Sequence, residues 1–413
     1  MRVPLVLPLL LAAAASAQGL PGDSAAVASG GVSEASRFAV RGYGVVNYAA
    51  YDWDTDPGRR NAVDVERLVL YPSVRLAERV TLRAEFEIEH AGTGSTLEFD
   101  VFEEFGEFEQ EVERGGEVVL EQLNVDFAVR PWLGVRAGKV KVPVGIAAVN
   151  DEPNEYFTTT RAEAEATFLP SNWYEVGVQA YGRAGALAYV LSVVNGLDSS
   201  GFSSANWVQR GGQGRFETLN AENLALHARL DVALADETSV GVSGYVGDSA
   251  DNRPRPDLDA SAVVGIVDVH GQLQRGPVTV RGAALYGWLG NADLVSRANR
   301  NLPNALGVRR TPVGSAAYGV GLEAGLDVVG LLGAAGLGDR LDVFGRVDAT
   351  DTMAAVAGDV FDNPRWQRTA WTGGLNWRPV EPVVVKAQFS HRLLGTSEDR
   401  VENTASVGLG FEF

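Results

Sequence analysis

The chain has 413 residues and no cysteine, which removes disulfides, thiol catalysis and thiolate metal sites from consideration. Acidic residues outnumber basic ones, 53 to 35, for a formal charge of -18, and that balance argues against nucleic acid as a partner. Mean hydropathy is -0.02, a value that suits a soluble protein and equally a barrel whose lipid-facing and water-facing positions alternate.

Residues 1–17 carry one positive charge, Arg2, then an apolar run and the small triplet Ala15, Ser16, Ala17. This is the pattern of a secretory signal peptide cleaved after Ala17, since the run falls short of the ~20 residues that a spanning helix needs. Residues 18–37 are rich in Gly, Ala and Ser without a sustained period and read as a flexible N-terminal lead. No later stretch is long and apolar enough for a spanning helix, so in a membrane the chain would cross as strands.

Residues 38–413 alternate apolar and polar side chains in segment after segment. Strands are expected near 38–51, 62–77, 79–90, 117–130, 132–143, 173–183, 186–196, 221–235, 238–248, 260–275, 277–290, 315–329, 339–350, 365–378, 381–393 and 404–413, about sixteen in all. The connections alternate in length. Short turns at 77–79, 130–132, 183–185, 235–237, 275–277, 333–338 and 378–382 alternate with longer polar loops at 52–61, 91–116, 144–172, 197–220, 249–259, 291–314, 351–364 and 394–403. An even-stranded transmembrane antiparallel β-barrel requires this, with short periplasmic turns and long extracellular loops. About sixteen strands also enclose a water-filled channel.

Charge fixes the faces, because Arg or Lys facing lipid near the midplane costs about 2–4 kcal/mol. In the third strand Val80, Leu82, Ala84, Phe86 and Ile88 point outward, leaving Arg83, Glu85, Glu87 and Glu89 inside. In the eighth, Leu224, Leu226, Ala228, Leu230 and Val232 point outward against His227, Arg229 and Asp231. The lumen is thus lined by both signs of charge, and Asp126, Glu175, Asp342 and Asp348 share the inward phase. Tyr48, Tyr51, Trp132, Trp173, Trp288, Trp371, Trp377 and Phe413 lie at strand ends, where interfacial girdles place aromatics.

Two loops stand out. Residues 98–117 are dense in carboxylates with Arg114 as their one cation, which reads as a solvated outer loop and secondarily as a divalent-cation site bridging loops or lipopolysaccharide. Residues 144–172 form the longest connection and the best constriction candidate, carrying Asp151, Glu152, Glu155, Glu163 and Glu165 against Arg161. The last strand alternates Ala405, Val407, Leu409, Phe411 and Phe413 with small or polar residues. It resembles the closing strand of bacterial outer-membrane proteins, whose C-terminal Phe is read by the assembly machinery.

An enzyme would need a nucleophile with a base in reach. The four histidines, His90, His227, His270 and His391, lie on or beside strands, Ser390 points to the face opposite His391, and no hydrolase elbow or zinc-binding helix motif is present. Lumen-facing polar histidine is the better reading. A purely structural anchor has no added domain to support it.

The run Gly138, Lys139, Val140, Lys141, Val142, Pro143, Val144, Gly145 resembles a signature of the phosphate-selective porin O and P family. So do Leu169-Pro170, the stretch from Tyr174 to Gln179, and Val194-Asn195-Gly196. The resemblance implies a 16-stranded outer-membrane barrel, a homotrimer passing small anions such as phosphate by passive diffusion, with no cofactor. It further implies a pore-lining ladder drawn from Arg83, Arg136, Lys139, Lys141, Arg161, Arg229, Arg281, Arg346, Arg368 and Lys386. Opposing it are Glu85, Glu87 and the five carboxylates of the 144–172 loop, which favour a general or cation-preferring porin.

Overall fold

The computed structural model describes residues 37–92, 98–104, 107–111, 117–170, 172–212, 218–302, 311–333, 335–396 and 398–413. The expected signal peptide at 1–17 and nearly all of the expected lead lie outside these residues.

Sixteen strands close into one antiparallel barrel. They are β1 (Phe38–Trp53), β2 (Ala62–Ala77), β3 (Val80–Glu89), β6 (Glu117–Arg130), β7 (Leu133–Lys141), β8 (Tyr174–Ala184), β9 (Leu187–Asn195) and β10 (Leu224–Ala235). The rest are β11 (Thr238–Asp248), β12 (Val263–Arg275), β13 (Val278–Leu289), β14 (Ala316–Asp327), β15 (Arg340–Ala355), β16 (Gln367–Val380), β17 (Val383–Leu394) and β18 (Val401–Glu412). Each pairs with its neighbour, and β18 pairs with β1 in a register that sets Val407 opposite Tyr48. Beyond it, Gly42 and Phe413 exchange two backbone hydrogen bonds of 3.0 and 2.9 Å. The pairing of the last strand with the first therefore closes the ring and leaves the barrel without an open edge.

Exposure is inverted relative to a water-soluble protein. On β10, Leu224 and Leu226 are 62% and 58% exposed, whereas His227, Arg229 and Asp231 are 3–4% exposed. β15 repeats the split, with Val343 and Val347 exposed and Asp342, Arg346 and Asp348 buried. No helix among the described residues is long and apolar enough to span a membrane.

Turns and loops segregate to opposite ends. Gly185 and Gly276 adopt φ of +63° and +57° in tight turns, where a Cβ would be strained. One turn differs from expectation: β14 ends at Asp327, and residues 328–332 form a short helix, α3 (Val328–Leu332). Asp327 caps it by accepting from Val329 N at 3.0 Å, and Gly333 ends it at φ +64°.

The acidic stretch 98–117, read from sequence as a plain loop, contains a hairpin of β4 (Glu98–Glu104) and β5 (Glu107–Glu111). Apolar Phe99, Val101 and Phe108 interleaved with acids supply the period of two that a strand requires. A second departure lies inside the barrel. Val142, Phe168, Trp173, Trp207, Ile266 and Leu285 belong to an apolar core that also takes residues from β7 and from β9 to β14. It includes Val295 of helix α2 (Ala292–Arg300), from a long loop that folds back over the barrel.

Candidate functional site

Between Lys141, where β7 ends, and Tyr174, where β8 begins, the chain turns into the barrel instead of out over its rim. At the root, Arg229 donates to Pro143 O and Gly145 O at 3.3 and 2.6 Å, and Gly145 N donates to Ser243 Oγ at 3.3 Å. The far reach meets the inner face of the opposite wall. Asn154 N donates to Glu412 Oε1 at 3.2 Å, and Thr159 N donates to Gln388 Oε1 at 2.9 Å. Thr159 Oγ1 also lies 2.9 Å from Ser406 Oγ. On the return, helix α1 (Glu163–Ala166) docks on the wall, with Ala164 N donating to Asp348 Oδ1 at 3.1 Å and Arg392 donating to Glu163 at 2.9 Å. Asn172 then donates to Glu87 before β8 resumes.

Glycines make the room. A Cβ at Gly325 would lie 2.3 Å from the Phe157 ring, which stacks on Phe344 with centroids 5.5 Å apart. At Gly319 it would lie 2.5 Å from Ala164 O, and at Gly410 2.5 Å from Pro153 Cβ. These are inward positions of β14 and β18. Their sequence signal was visible, because Gly319, Gly321 and Gly325 all fall on one phase of an otherwise well-formed strand, as do Gly408 and Gly410.

The loop carries charge into this space and neutralises it there. Asp151 pairs with both Arg161 and Lys141. Burial alone would raise its carboxyl; Arg161, Lys141 and Arg67 outweigh burial and hold it down at about 2. Glu165 is the reverse case. Burial pushes it up to about 7, although its Oε2 accepts from Ala147 N at 2.8 Å. Burial, with Glu152 adjacent, likewise raises Glu155 to about 8.

Most of the basic residues expected to form a ladder face carboxylates. Arg83 and Arg136 share Asp126, each at 3.1 Å. Arg229 pairs with Asp231 at 2.7 Å, Arg281 with Glu323 at 2.7 Å, and Arg346 with Asp348 and Glu323 at 2.6 and 3.0 Å. Arg368 lies over the Trp366 ring at 4.9 Å, and Lys386 donates to loop carbonyls. Among the acids, Glu85 accepts from Tyr174 Oη at 2.7 Å, Glu87 lies 3.4 Å from Arg67, and Glu155 accepts from Glu152 N at 3.1 Å.

Three expectations are corrected. Lys139 pairs in register with Leu123 and Val176, both exposed on the outer face, so it is not a lumen residue by phase. Its ammonium reaches Leu120 O at 3.0 Å and Glu121 at 3.7 Å instead. Trp173 is 4% exposed and packs on Tyr245 inside the barrel, away from any girdle, because the returning loop draws it inward. His391 sits opposite Trp371 in register, on the outer face, and its Nδ1 lies 2.7 Å from Asn403 Oδ1. The remaining girdle tryptophans Trp132, Trp288, Trp371 and Trp377 are 40–54% exposed.

No known protein-family pattern matches the chain. An uncharacterized protein of Aquifex aeolicus is 29% identical over 209 residues, 50% of this chain and 43% of that protein, so the chain spans under half the length of the curated relative it matches. Among solved structures, the outer membrane channel DcaP of Acinetobacter baumannii superposes with a TM-score of 0.54 at 11% identity, covering 91% of this chain and 97% of DcaP. The anion-selective porin of Comamonas acidovorans gives 0.53 at 9% identity, covering 91% and 99%. A loop-deletion mutant of OmpT, an outer membrane protein of Vibrio cholerae, gives 0.52 at 10% identity, covering 92% and 100%. At these identities the likeness is one of fold: the chain is built as a 16-stranded porin-type barrel.

Proposed function

We propose that this chain is an outer-membrane porin through which small hydrophilic solutes diffuse passively, its bore set by the loop at 144–172. The observation that carries the reading is that loop, which enters a charged lumen and bonds to the wall from β10 to β18. An apolar exterior suits a bilayer, and a barrel of this strand number is wide enough to hold water. The long loops then face the exterior and the tight turns the periplasm. The names of the structural neighbours, an outer membrane channel and an anion-selective porin, support the same reading. The resemblance to phosphate-selective porins adds a homotrimer in contact with lipid and lipopolysaccharide.

Selectivity follows from the pairing of charges. A phosphate ladder needs cations whose charge is available to the passing anion. Arg83, Arg136, Lys141, Arg161, Arg229, Arg281 and Arg346 each have a carboxylate within ion-pair distance, the seven sharing Asp126, Asp151, Asp231, Glu323 and Asp348, and this pairing supports a general porin over a phosphate-selective one. Swelling of proteoliposomes in neutral sugars of increasing size tests the proposal. Permeation that falls with solute size and is unaffected by phosphate is the expected result. Absence of swelling with folded protein overturns the channel, and saturable block by phosphate restores the phosphate-selective reading.

A further inference from the structure

Lys386 differs from the other cations of the wall. It is 3% exposed, and its ammonium donates to two main-chain carbonyls of the inserted loop, Tyr156 O at 2.8 Å and Thr158 O at 2.9 Å. The Tyr156 ring lies 3.7 Å from Nζ and takes the remaining side of the charge. Asn376, its direct cross-strand partner, donates to Tyr156 O and Phe157 O at 3.4 and 3.2 Å. Arg378, two residues along β16, donates to Asn154 O. The carbonyls of residues 154, 156, 157 and 158 are therefore all gripped by two adjacent strands.

A loop gripped through its main chain is fixed in position whatever its side chains face. The hydrogen bonds from Lys386 are charge-assisted and buried, which places them among the stronger kind. Small shifts at this contact change the open cross-section directly, because the gripped segment is the part of the loop that reaches the far wall.

We propose that Lys386, with Asn376 and Arg378, is a positioning residue that clamps the constriction loop to β16 and β17 and so sets the bore of the pore, rather than a residue that meets solute. The proposal rests on the porin reading. It takes Lys386 out of the ladder suggested by its inward phase and gives that charge a mechanical task.

The test records single channels from the full-length protein in planar bilayers. Thr159 Oγ1 and Ser406 Oγ are 2.9 Å apart and the chain has no cysteine, so T159C/S406C provides one bridge that ties the loop to β18 without Lys386. K386M is expected to give a larger and noisier step than wild type, and K386R to retain the wild-type step. In the T159C/S406C background, oxidation should return K386M to a quiet, small step and reduction should release it. N376A, a milder break of the same clamp, should shift conductance the same way and carries the test should K386M fail to fold. A K386M step equal to wild type overturns the proposal. So does a changed step that the disulfide leaves unaltered, since the ammonium then acts on the ions themselves. No current from folded wild-type protein overturns the porin reading, and the clamp with it.

Discussion

Arg392 donates to Glu163 at 2.9 Å, and the two side chains are 24% and 28% exposed, so this contact between wall and loop is one that water reaches. Arg392 also pairs with Glu402, which is 4% exposed. Arg392→Gln leaves both carboxylates uncompensated. The partly exposed Glu163 pair couples by no more than about 1 kcal/mol, whereas leaving buried Glu402 without its partner costs about 3–5 kcal/mol, so the thermal midpoint should fall while the rest of the barrel's pairing is kept. In a KCl gradient the reversal potential should move toward the potassium potential, and more so in dilute salt, where charges act over longer distances. An unchanged reversal potential would remove Arg392 from the ion path.

The glycine seats make a steric prediction. Gly325→Val places methyl groups where the Phe157 ring lies and should unstack it from Phe344. Overpacking of this sort costs about 1–3 kcal/mol. The strand remains free to form, since Gly325 contributes only its backbone to the ladder with β13 and β15. Conductance should rise and the thermal midpoint should fall; a variant with wild-type conductance would show that Phe157 does not narrow the path.

The barrel was legible in the sequence because its two signals are local: strict alternation, as in Leu224 to Val232, and connections that alternate in length. The inserted loop was legible from its length. Its seating was not, because the partners are far apart in the chain: Thr159 and Ser406 by 247 positions, Asn154 and Glu412 by 258. Charge pairing across strands depends on register, which bulges such as that between Glu85 and Phe86 shift. Strict alternation from Arg136 places Lys139, three residues on, on the outer face, but it would place Lys141, five residues on, there too, and Lys141 instead turns to Asp151 of the loop at the strand's end. Trp173 was misplaced because nothing local distinguishes a girdle tryptophan from one drawn inward by a returning loop.

Protonation of the loop gives a pH dependence with a defined sign. Glu165 has its carboxyl raised to about 7 by burial, so the seated loop favours the neutral acid. Its contribution is fully present below the unfolded value near 4.3 and is lost as pH rises through about 7. Open-channel current noise should therefore increase between pH 5 and pH 8 as the loop loosens. Glu165→Gln should flatten that dependence; a variant retaining the full rise would assign the effect elsewhere, with Glu155 next in line.

The outward face is tested separately. Leu230 is 43% exposed on the lipid side of β10, and Leu230→Arg should destabilise the barrel in vesicles by about 2–4 kcal/mol if it lies near the midplane. Arginine at inward-phase Ser390 should cost much less. Urea titration of the two variants in lipid compares them directly, and a neutral Leu230→Arg would contradict the assignment of faces.

The central claim is that a loop folded into the lumen narrows a water-filled channel. The most direct measurement is single-channel conductance of the wild type beside a variant in which residues 147–168 are replaced by a short Gly-Ser linker. The account predicts a small, steady, ohmic step for wild type and a several-fold larger step for the linker variant. Equal steps from the two proteins, or no current from either once folded, would contradict it.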